Sequence, residues 1–106
     1  MTIEELIKEV LINEIPVNGV EYDTEYDTFV YHVAGFSKSG TAELMEKDGK
    51  IICKTRYNTI DEIKCFDDLV VVAYRWNKIY LDTKPFDKWD ADWYPVFKEK
   101  GLVKDC

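Results

Sequence analysis

Four carboxylates at alternate positions are the most chemically suggestive feature of this 106-residue chain. Glu21-Tyr22-Asp23-Thr24 is followed at once by Glu25-Tyr26-Asp27-Thr28. In an extended segment, residues of one parity share a face. Each strand residue rises about 3.3–3.4 Å, which would set Glu21, Asp23, Glu25 and Asp27 in a row about 6.6–6.8 Å apart. That interval is comparable to the phosphate spacing along one nucleic-acid strand, and such a row fits a basic groove built for DNA or RNA. Two plainer readings stand beside it. Charges along an edge strand protect it from aggregation, with Tyr22 and Tyr26 turned inward. A D-x-D-x-D spacing also imitates a calcium loop, but that loop wants glycine at its sixth position, and Tyr26 stands there.

A second patch, Pro85-Phe86-Asp87-Lys88-Trp89-Asp90-Ala91-Asp92-Trp93-Tyr94, mixes acids with large aromatics. Trp and Tyr are enriched at interface hot spots, which makes Trp89, Asp90 and Asp92 a secondary candidate for partner binding. The competing reading is structural, because Trp89, Trp93 and Phe97 recur every four residues and would form the core face of a helix.

Catalysis requires a nucleophile with its base, an acid–base pair or a metal. His32 is the one histidine, and it has no acidic or cysteine neighbour in sequence. Cys53, Cys65 and Cys106 are odd in number and lack C-x-x-C spacing, the pattern of reduced thiols. No phosphate-loop, dinucleotide, nucleophile-elbow or zinc-protease motif occurs. The expectation is a protein without catalytic residues, cofactor or metal.

The charge is unevenly placed. Residues 1–28 hold eight acids (Glu4, Glu5, Glu9, Glu14, Glu21, Asp23, Glu25, Asp27) against Lys8, which accounts for the whole net charge of −7; residues 29–106 hold 13 of each sign. Such asymmetry speaks to partners more than to fold. With dispersed bases and a pI near 4.7, direct nucleic-acid binding is disfavoured. The first ten residues carry three acids, the reverse of a signal peptide. The longest apolar run, Leu69 to Tyr74, is six residues, against about 20 needed to span a bilayer. A cytoplasmic protein with no membrane association is expected.

The elements that would position these residues are legible from periodicity. One domain, 1–106, fits the length. Residues 2–14 read as a helix, with Thr2 and Glu5 as a capping box and Ile3, Leu6, Ile7, Val10 and Leu11 as its apolar stripe. Asn18-Gly19 reads as a turn. Residues 28–36, 41–46 and 50–57 read as three strands of an antiparallel meander, joined by turns at Lys38-Ser39-Gly40 and Asp48-Gly49. Thr59 and Glu62 make a second capping-box spacing ahead of a helix over 67–82, where Leu69, Val72, Ala73, Trp76, Ile79 and Tyr80 share a face. The run Val70-Val71-Val72 keeps a strand open as the alternative. Asp90 would cap a final helix over 91–100, stopped by Gly101. The predicted class is α+β: an N-terminal helix, a three-stranded meander and two C-terminal helices.

Two stretches, RYNTIDEIKCFDDLVVVAYRW over 56–76 and WYPVFKEKGLV over 93–103, resemble small uncharacterised accessory proteins of phages and prophages of Gram-positive bacteria. The resemblance covers about the last half of the chain and carries over no functional residue. It implies a setting in which inhibitors of host defence, anti-CRISPR proteins among them, are common. Taken with the charge, it points to a basic, nucleic-acid-binding host protein as partner of Glu21, Asp23, Glu25 and Asp27. The alternative is an accessory or assembly protein that forms homodimers or larger oligomers through its C-terminal aromatics.

Overall fold

Helix α1, Ile3–Ile12, begins where the sequence says it should. Thr2 Oγ1 accepts the Glu5 N–H at 3.2 Å, and Glu5 Oε1 accepts the Thr2 N–H at 3.0 Å, closing the capping box. The helix stops two residues short of the expected end. Glu14 takes a left-handed φ of 63°, and its N–H and that of Ile15 bond back to the Leu11 and Val10 carbonyls. This closure satisfies the last carbonyls and seats Ile15 in the core. The computed structural model describes residues 1–35, 41–55, 60–81 and 92–102, with backbone alone for 78–81.

The sheet has five antiparallel strands in sequential order, not the expected three. They are β1 Val17–Asp23, β2 Thr28–Ala34, β3 Thr41–Lys47, β4 Lys50–Lys54 and β5 Ile60–Glu62. Strand β1 was hidden by Asn18-Gly19. That pair does not turn the chain; the register shifts between Val17 and Gly19, which marks a bulge inside the strand. Strand β5 was hidden by Glu62, whose capping-box partner Thr59 lies outside the described residues. Glu62 sits opposite Ile52 on β4, and the helix start is organised further on, where Asp68 Oδ2 accepts the Lys64 N–H at 2.8 Å. The turn at 38–40 is also outside the described residues. The β3–β4 turn is as expected, with Asp48 and Gly49 both at positive φ, 53° and 77°.

The segment open to either reading is helical: α2 spans Phe66–Leu81. Val70 and Val72 are buried and Val71 is exposed, so burial on one face outweighs the mild helix penalty of β-branched residues. A short α3, Tyr94–Glu99, follows. Its expected cap, Asp90, lies outside the described residues, and Pro95 in the first turn suits a helix start. Gly101 at φ 77° ends it as expected, with Leu102 N–H on the Phe97 carbonyl.

All three helices share one apolar cluster with one face of the sheet, where Val33, Ala42, Leu44, Ile51 and Cys53 point. Trp93 lies fully inside it. Its ring stacks against Phe66 and Phe97, and its Nε1–H donates to the Ala34 carbonyl at 2.8 Å. Nearby, Asn77 Nδ2 donates to the Gly35 carbonyl at 2.9 Å. Trp93, just ahead of α3, and Asn77 of α2 thus hold the end of β2. No helix among the described residues is long and apolar enough to cross a membrane.

Candidate interaction surface

The alternate acids do not form the expected row. Only Glu21 and Asp23 lie in a strand; residues 24–27 form the β1–β2 turn. Asp23 builds that turn. Its Oδ1 accepts the backbone N–H of Glu25 at 2.8 Å and of Tyr26 at 3.1 Å, an Asx-type closure that aspartate makes well. Asp27 adopts φ 54° and accepts the Tyr22 hydroxyl. Glu21 meets His32 Nε2 at 2.8 Å, so the histidine that lacked an acidic neighbour in sequence has one in space. The phosphate-like interval is therefore confined to the Glu21–Asp23 pair.

The turn also leans over the sheet face that the helices leave open. Lys47 Nζ donates to the Tyr26 carbonyl at 2.8 Å, and Lys54 Nζ stands 5.1 Å from the Tyr26 ring centre. Val30 and Met45, opposite each other on that face, are 1% and 0% exposed. Burial works to lower the Lys54 ammonium, but Tyr26, Glu43 and Glu25 hold it above its ordinary range. Lys47 and Lys54 thus offset part of the charge at the tip.

Alternation along β1 divides its two faces. Glu21 and Asp23 share the open face with His32, whereas Val20 and Tyr22 point to the helix-bearing side. There they pair with Tyr31 and Phe29. The helices do not reach this far. Val20, Tyr22 and Phe29 are 53%, 50% and 60% exposed, and Tyr22 is thus not the inward-packed residue expected of a purely protective edge. Tyr31 joins them to a groove of about 450 Å³ along α1, lined also by Glu4, Ile7, Lys8, Leu11 and Ile12. Leu11, placed in the apolar stripe by its spacing, is half exposed, and Ile12 is more exposed still.

An apolar surface thus runs from the end of α1 across Tyr31 to the β1–β2 hairpin, with carboxylates behind it. In the sequence, the acids of this segment stand out ahead of its apolar residues. The available signal was the same alternation read from the other parity, Val20 and Tyr22, together with the placement of Leu11 and Ile12 at the edge of the helical stripe.

Of the second patch, Trp89 and Asp90 lie outside the described residues, and Asp92 is exposed. Trp93 and Phe97 are core residues, as the structural reading of their spacing expects. Burial pushes the Cys53 thiol up to about 12, aided by Asp61 on the neighbouring strand. Cys65 is exposed. Comparison with protein-family models, with characterised proteins and with solved structures finds no match.

Proposed function

We propose that this chain is a non-catalytic interaction protein that engages a basic protein surface through its β1–β2 hairpin. The observation that carries the reading is the two-sided hairpin. It displays exposed apolar side chains, Val20, Tyr22 and Phe29, on one face and Glu21 and Asp23 on the other, and its β1 strand and turn lie within the quarter of the chain that holds all the excess negative charge. Apolar anchors supply contact area, and the surrounding field steers a partner of opposite sign. The partner class that fits is a nucleic-acid-handling host protein, whose binding groove must be basic. Resemblance to phage accessory proteins makes a host-defence effector, of the kind anti-CRISPR proteins inhibit, the first to test.

The test is affinity capture from a Gram-positive host lysate, followed by a gel-shift assay on each captured protein. The expected result is a basic protein retained at low salt, released at high salt, and displaced from its nucleic acid by this chain. If every retained protein resists salt, or keeps its nucleic acid at saturating amounts of this chain, the proposal fails.

A further inference from the structure

Among the described residues, strand β1 lies at the edge of the sheet and is hydrogen-bonded to β2 alone. In an antiparallel pair every second residue directs its N–H and C=O away from its partner. Among the described residues, none of these outward groups on Gly19–Asp23 has a hydrogen-bond partner. The other edge differs. Strand β5 is three residues long, and its Asp61 is tied to Arg75 of α2. The regular part of β1 beyond its bulge is long enough for an added strand of about five residues, roughly 17 Å.

Edge strands of this length are commonly blunted against self-pairing. Here the bulge and the two acids do so, because a second copy would bring its own Glu21 and Asp23 to the same face. The opposite face is not blunted, since Val20 and Tyr22 stay exposed beside Phe29. An incoming strand continues the pleat, so its side chains alternate between these two faces.

We propose that β1 is a strand-addition site for an extended segment of a partner protein in which Lys or Arg alternates with apolar residues. The basic side chains lie along Glu21 and Asp23, the apolar ones extend the Val20–Tyr22 surface, and the backbone pairs with the free edge of β1. This mode deepens the proposed hairpin function and rests on it. Charge complementarity selects a basic segment over a second copy of the chain, and alternation separates strand addition from plain electrostatic adhesion.

The experiment uses the protein, isotopically labelled, and three synthetic peptides of the same Lys–Val composition. One alternates Lys and Val over about seven residues, one contains the same residues in blocks, and one alternates but is N-methylated along one edge. Main-chain pairing gives affinity and side-chain alternation gives specificity in this mode, so the alternating peptide should bind about tenfold or more tightly than either control. It should also slow hydrogen exchange at every second amide between Gly19 and Asp23. If alternating and blocked peptides bind alike, with salt-sensitive affinity and no such protection, strand addition is refuted while hairpin docking stands. If none of the three binds at low salt, both fail. Concentration-dependent protection of β1 without peptide would assign the edge to a second copy and overturn the proposal.

Discussion

Tyr22 and Phe29 face each other across the β1–β2 pair with ring centres 5.5 Å apart and planes at 77°, yet both remain half exposed or more. Two aromatics in edge-to-face contact at the rim of a sheet present a preformed apolar surface, because their mutual contact limits their rotamers before any partner arrives. They stand on the same hairpin as the acids that first mark this chain. The arrangement separates residues that build the hairpin from residues that it displays.

Phe29 belongs to the second group. Replacing Phe29 with Ser should cost no more than about 1 kcal/mol in urea unfolding, the scale of one aromatic pair at a mostly exposed site. It should nevertheless abolish retention of the basic partner. A loss of several kcal/mol would mark Phe29 as core.

The four acids should not behave alike. Asp23 closes the turn through two backbone N–H groups, so Asp23→Ala should cost about 1–2 kcal/mol, as for a lost charge-assisted hydrogen bond. Asp23→Asn keeps an acceptor oxygen and should retain most of that stability. Glu25→Gln should leave the unfolding midpoint nearly unchanged, since among the described residues no hydrogen bond of the turn uses its carboxylate. Equal costs for Asp23→Ala and Glu25→Gln would contradict this division.

Trp93 is the reciprocal case, an aromatic in an acid-rich patch that serves the core. Trp93→Ala should destabilise by about 3–5 kcal/mol through the cavity it leaves. Trp93→Phe keeps much of the volume but leaves the Ala34 carbonyl without its donor, and should cost about 1–3 kcal/mol. Denaturant titration orders the two, and a neutral Trp93→Ala would remove Trp93 from the core.

Cys53 makes stability depend on alkaline pH. Its thiol is raised from an ordinary 9.0 to about 12 in the fold, so between those values the unfolded chain has lost a proton that the folded chain keeps. Stability contributed by the buried neutral thiol is therefore complete below pH 9 and declines as pH rises, by about 1.4 kcal/mol per unit. Other groups titrate in this range, so the readout is the difference between wild type and Cys53→Ala. The wild type should lose stability more steeply from pH 9 to 11; parallel profiles would refute the assignment.

Much of the fold follows from local signals in the chain. The capping box at Thr2 and Glu5, the Asp48-Gly49 turn and the Gly101 stop each act within a few residues, and each forms as its chemistry predicts. What stayed hidden depends on contacts distant in sequence. Asn18-Gly19 carries the same residues whether it turns a chain or forms a bulge, and only pairing with β2 decides between them. The three residues of β5 have too little length to announce a strand and are defined by β4. The tetrad misled for a related reason. Its alternation implies extension, but Asp23 can close a turn on its own backbone, and Lys47 and Lys54 draw that turn over the open face. Alternation marks Val20 and Tyr22 as one face of a strand, but that this face stays exposed depends on where the helices stop covering the sheet.

Neutralising the charge on this hairpin without disturbing its hydrogen bonds tests most directly the proposal that it serves to meet a basic partner. The variant Glu21→Gln, Asp23→Asn, Glu25→Gln, Asp27→Asn removes four negative charges and keeps an acceptor oxygen at each position. Its affinity for the captured partner should be measured beside that of the wild type at about 50 mM and about 500 mM salt, where screening differs strongly. The wild type should bind at least about tenfold more tightly at low salt, and the variant should show weak binding at both. Equal affinity of the two proteins, insensitive to salt, would contradict the account.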